Sequence, residues 1–145
     1  MFIWPAQCII KQAKHHFDSC ADAYEDEEGR VIVDSVQLPE LVDFASISEN
    51  GGDFRNVDFE AVPKNTLWRH VITLPNMAAG EPGGVVSNES LPLIVEFPRI
   101  NGAYFGRKHR FIYMCAVRSP STNQPLQAWT KYDTATGSTD TANFG

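Results

Sequence analysis

Hydrophobic side chains in this chain come in short extended runs separated by polar turns, rather than at the three-to-four-residue spacing of helices. The first orderly run is Val31-Ile32-Val33 in "GRVIVDSV", fed by an acidic turn around Gly29. "TLWRHVITLP" (Thr66 to Pro75) alternates bulky and polar positions and predicts a strand. "LPLIVEFPRI" (Leu91 to Ile100) is extended, and "NGAY" turns the chain after it. "KHRFIYMCAVR" predicts another strand with Phe111, Tyr113 and Cys115 on one face. "LQAWTKYDTATG" runs into a hairpin-like turn at Thr136-Gly137.

The intervening stretches carry turn chemistry. "SENGGDFRN" and "PSTNQP" predict a loop and a turn, and "NMAAGEPGGVVSNES" (Asn76 to Ser90) predicts a connecting loop by its Gly and Asn content. Only "LPELVDFASI" suits helix, with one or two turns starting near Pro39. Residues 1–20 show no sustained period, and "TDTANFG" ends the chain without a closing element. Short strands with little helix predict an all-β fold: a sandwich, a barrel or propeller blades. No internal repeat chooses among them. The pattern divides the chain into an N-terminal stretch, 1–20, and a β-rich region, 21–145.

Composition narrows the function. A chain of 145 residues, 43% hydrophobic, with nine Phe, four Tyr and three Trp, is one domain's worth of sequence able to bury a core. The net charge of −6 gives no electrostatic footprint for nucleic acid or an anionic membrane. Cys8, Cys20 and Cys115 are odd in number and widely spaced, which argues against a disulfide framework and suits a reducing compartment. "MFIWPAQCII" lacks a basic leader and a cleavage pattern, and is far short of the roughly 20 apolar residues of a membrane span. The expectation is a soluble, cytoplasmic chain. No Gly-x-Ser-x-Gly elbow or phosphate-cradling glycine loop is present.

One position stands out. Glu96 ends the apolar run Leu91-Pro-Leu-Ile-Val95, where an unpaired carboxylate costs several kcal/mol. Read from its surroundings alone, it caps a turn or pairs with Arg99 or Arg110.

At "VEFPRINGAYFGRKHRFIYMCA" the sequence resembles the carotenoid cleavage oxygenases, a family that includes carotenoid dioxygenases, stilbene-cleaving enzymes and the retinoid isomerase of the eye. The residues that carry the resemblance are Glu96, Phe97, Pro98, Ile100, Asn101, Tyr104, Gly106, Arg110, Phe111 and Tyr113. Three other stretches agree in family order: "DAYEDEEGRVIVD" from Asp22, "LWRHVITLPN", and "WTKYDTATGSTDTANFG". The resemblance covers roughly Asp22 to Gly145.

The resemblance implies a seven-bladed β-propeller, of which this chain is an incomplete part of a few blades. It implies iron(II) held by four histidines, three of them oriented by outer glutamates, and cleavage of a conjugated double bond by dioxygen. The substrate is carotenoid-like or stilbene-like and apolar, which in the family often goes with a peripheral membrane patch. Glu96 matches an outer glutamate that receives the far ring nitrogen of a ligating histidine.

The histidines are His15, His16, His70 and His109. The family's third ligand lies three residues before the Asn of Asn-Ala-Tyr-Glu. Counting back from Asp22, which stands where the family has Asn, reaches Ser19. If Asp18 to Cys20 is an insertion, His16 falls into register, with His15 as its neighbour. His70 and His109 read as surface or cross-strand residues. One imidazole does not retain iron(II), so the expectation is an interior piece of an oxygenase, inactive alone. The alternative is a non-catalytic β-rich remnant or interaction fragment without metal.

Overall fold

The computed structural model describes residues 16–39, 58, 60–76, 78–119 and 126–144. Among the described residues seven antiparallel strands follow one another: β1 (His16–Glu25), β2 (Arg30–Leu38), β3 (Thr66–Thr73), β4 (Gly84–Arg99), β5 (Phe111–Val117), β6 (Leu126–Asp133) and β7 (Thr139–Asn143). Each strand pairs with its neighbours in sequence, so the spatial order is the chain order.

The 16-residue β4 serves twice. Its stretch from Gly84 to Ile94 pairs with β3, and its stretch from Val95 to Arg99 pairs with β5. Strands β1 to β4 therefore form one four-stranded meander, and β4 to β7 form the next. Successive four-stranded meanders are the repeat of a β-propeller, as expected.

Local chemistry explains most of the elements. In the turn between β1 and β2 the Asp26 carboxylate accepts the N–H groups of Glu28 and Arg30 at 3.0 and 2.9 Å. Gly29 completes that turn at φ 74°, a conformation that suits glycine. From Ile32 to Gln37 every residue of β2 is buried, so this strand is covered on both faces. In β5 the side chains of Ile112, Met114 and Ala116 point inward, leaving Phe111, Tyr113 and Cys115 on the more open face.

The main core lies between the two meanders. Ala21, Val36, Leu67 and Val95 meet Ile112, Met114, Ala116, Ala128 and Tyr132. Several of these are fully buried, and each large one contributes about 2 kcal/mol.

Three expectations need correction. β1 already starts at His16, inside the stretch that shows no period, and shifts in its register after Phe17 and Cys20 break the alternation. Gly84 to Ser90 is strand rather than loop, because pairing with β3 overrides its polar, glycine-rich composition. Thr139 to Asn143 closes the second meander as β7. Every one of its residues is exposed, so no hydrophobic signal marks it. The helical turns expected after Pro39, the "SENGGDFRN" loop and the "PSTNQP" turn lie outside the described residues. Among the described residues no helix is long and apolar enough to cross a membrane.

Candidate functional site

Two polar centres interrupt the apolar interface, one at the upper end of the strands and one midway along β2 and β3. The upper end is where β1 begins, β2 ends and β3 starts. His16 is opposite Leu38, and Gln37 is opposite Thr66, so Asn65 stands in the same row. The Asn65 carbonyl accepts the Val95 N–H at 3.0 Å, and its side-chain Nδ2 donates to Glu96 Oε1 at 2.8 Å. Asn65 therefore grips the crossover of β4 by backbone and side chain together. Its Oδ1 is buried and accepts no bond among the described residues.

The chain leaves Glu96 through a strained step. Phe97 has φ 54°, and the register with β5 shifts between Glu96 and Arg99. A left-handed conformation is costly for a bulky residue, and doubly awkward before proline. Pro98 is fully buried while Phe97 is 59% exposed. Such a bulge re-aims the neighbouring side chains. Glu96 bonds to Asn65 rather than pairing with Arg110, whose guanidinium is bound to Asp133 at 2.8 Å.

The second centre, midway along β2 and β3, is a buried ionic cluster. Asp34 and Arg69 are cross-strand partners, and Arg69 donates from Nε and Nη2 to the two Asp34 oxygens, each at 2.8 Å. His109 Nε2 adds a third bond to Asp34 Oδ2 at 2.9 Å. Burial alone would raise the Asp34 pKa, but the bonds from Arg69 and His109 outweigh it and hold the carboxyl below its ordinary range.

Asp22, the residue that departs from the family's Asn, has a task here. Its oxygens accept the Gly106 N–H at 3.2 and 3.0 Å, and one lies 3.6 Å from His109 Nδ1. Tyr24 closes the cluster with its ring edge-on to His109 at 5.3 Å.

Neither His70 nor His109 is a surface residue, which corrects that part of the expectation. His70 is a cross-strand residue, but only 1% exposed. Its Nδ1 donates to Asn88 Oδ1 at 2.6 Å and its Nε2 accepts from Gln37. His109 is 4% exposed and precedes β5 in a loop. Both rings have their nitrogens committed. Among the described residues no group of three or more His, Cys, Asp and Glu is placed to hold a metal ion. Those residues do not by themselves fit an iron centre. His16 opens β1 at the upper end, and His15 lies outside the described residues.

The Asp22–Asp34–Arg69–His109 cluster was not predicted, although one signal was available. Asp34 ends an apolar β-branched run and Arg69 sits inside another, and a charge in such a run requires a partner.

Beside this cluster is a cavity of about 760 Å³, lined by aromatic and basic side chains from Tyr24 to Ala135.

The sequence profile of the retinal pigment epithelial membrane protein family matches residues 14–145. The chain is 33% identical over 133 residues to the apocarotenoid-15,15'-oxygenase of Synechocystis sp., an alignment that spans 90% of this chain and 24% of that relative. A crystal structure of an ACO/RPE65 chimera superposes with a TM-score of 0.73 at 29% identity, covering 89% of this chain and 25% of its own. Cobalt-substituted Synechocystis ACO gives a TM-score of 0.73 at 29% identity, with the same coverage of 89% and 25%. The chain thus spans about a quarter of the length of these relatives. With the motif order, the profile match and the propeller-type meanders in agreement, the chain belongs to the carotenoid cleavage oxygenase family, that of the retinal pigment epithelial membrane protein.

Proposed function

We propose that this chain contributes to the oxidative cleavage of a conjugated double bond in an apolar carotenoid- or apocarotenoid-like substrate by dioxygen, as part of a non-haem iron(II) oxygenase. In this reading Glu96 receives the far N–H of a ligating histidine, His16 or its neighbour His15. That bond fixes the tautomer and the ring direction, leaving the other nitrogen's lone pair for the metal.

The observation that carries the reading is the position of Glu96. It stands at the end of the strands where His16 opens β1, on a strand in contact with β1, with Asn65 holding its carboxylate. A carboxylate anchored in this way keeps its direction, which is the requirement for orienting an imidazole. The relatives supply the substrate class, since the matched curated protein is an apocarotenoid oxygenase.

The described residues form no iron centre, so the chain is expected to be inactive alone, with the remaining ligands supplied from outside them. An apolar polyene partitions into lipid, and we place its uptake at a membrane surface in the complete enzyme. The free thiols of Cys20 and Cys115 accord with a cytoplasmic setting.

The test combines histidine NMR of the metal-free chain with iron analysis after anaerobic loading. One of His15 and His16 should be locked in a single tautomer, and Glu96→Gln should release it. Any iron taken up should fall to background in the His15→Ala/His16→Ala variant, and no apocarotenal should be bleached by the chain alone. A tautomer indifferent to Glu96→Gln, with iron content indifferent to both histidines, refutes the assignment.

A further inference from the structure

Neither Glu96 nor His16 is among the residues that line the cavity beside the ionic cluster, so the reading above makes no use of it. Its volume of about 760 Å³ is within the range that small-molecule sites occupy. Tyr104, Phe111 and Tyr113 give it flat apolar walls, while Arg69, Lys108 and Arg110 bring positive charge, and no carboxylate is among its lining residues. Asp34 and Asp133 balance Arg69 and Arg110 from behind the lining, so the uncompensated positive charge at the cavity is that of Lys108.

The cations keep capacity to bind. Arg69 and Arg110 spend Nε and Nη2 on Asp34 and Asp133, which leaves the Nη1 donors of each fork. Lys108 forms no ion pair among the described residues. Tyr104 and Tyr113 are 52% and 43% exposed, aromatic surface that gains by being covered.

We propose that this cavity binds a small aromatic carboxylate, its ring against Tyr104 and Tyr113 and its carboxylate on Lys108 and the remaining Nη1 of Arg69. A bare inorganic anion would use the charge but waste the apolar walls. A neutral aromatic would use the walls but leave Lys108 without a counter-charge. Specificity for both halves at once follows from the lining.

The test is an NMR titration of the full ¹⁵N-labelled chain with 2-naphthoate, read at the amides of Gly106 and His109. 2-Naphthalenemethanol serves as the neutral isostere and inorganic phosphate as the bare anion. Saturable shifts are expected with 2-naphthoate, and binding about tenfold weaker for the alcohol and in Lys108→Gln. Tyr104→Ala, a second variant at an exposed position, should weaken 2-naphthoate while leaving the remaining spectrum dispersed. The proposal is overturned if the alcohol or phosphate matches 2-naphthoate, if both variants bind it as well as the parent, or if no shift saturates at millimolar ligand.

Discussion

His109 and Asp34 are 75 residues apart in the chain and 2.9 Å apart in space. Their bond ties the loop before β5 to a central strand of the other meander, and the Gly106 N–H on Asp22 fastens the same loop a second time. His109→Ala should destabilise the chain by about 2–3 kcal/mol, because it removes a bond to a buried carboxylate and leaves a void. His109→Gln, which can still donate to Asp34, should recover part of the loss. Urea unfolding of the three proteins measures both effects.

The same cluster sets an acid limit. The folded pKa of Asp34 is below its ordinary value of 3.8, so its stabilising contribution is fully present above that value. It is lost as pH falls below 3.8 towards the folded pKa. Asp34→Asn should therefore cost most at neutral pH, and the gap to the parent should narrow in strong acid. Urea midpoints at pH 7, 5 and 3 check the sign, and a gap that widens in acid would contradict it.

At Phe97 the backbone rather than the side chain is under strain, with φ 54° and most of the ring in solvent. Phe97→Gly should be neutral or stabilising by up to about 1 kcal/mol, and Phe97→Val should cost about 1–2 kcal/mol. Thermal unfolding separates the two, since loss of a packed aromatic would make both variants worse.

Glu96 and Cys115 face each other across the second meander. Burial, and then the Glu96 charge, push the Cys115 thiol above its ordinary value of 9.0. In a background with Cys8 and Cys20 replaced by serine, Glu96→Gln should speed the reaction of Cys115 with a disulfide reagent near pH 8. A rate unchanged by the substitution would mean that burial alone protects the thiol.

Strands were legible where the side chains themselves record the two faces, as in Val31 to Val33, Thr66 to Thr73 and Phe111 to Val117. They were not legible where a partner strand supplies the order. Gly84 to Ser90 looks like a loop until β3 lies beside it, and β7 buries none of its five residues. Glu96 was conspicuous because a charge closing an apolar run needs an explanation, although its partner, Asn65, is 31 residues upstream and unmarked by any local motif. The ionic cluster was hidden for a related reason. Asp22, Asp34 and Arg69 meet through strand pairing within the first meander, and His109 joins them from the loop before β5 of the next.

β4 has a consequence for how the molecule comes apart. One strand ends the first meander and begins the second, so neither can shed it without exposing the edge of the other. The two blades share a spine, and opening either should cost nearly the full unfolding free energy. Amide protons around Val95, where the spine changes partners, should exchange as slowly as any in the chain, and melting should proceed as a single cooperative event rather than blade by blade.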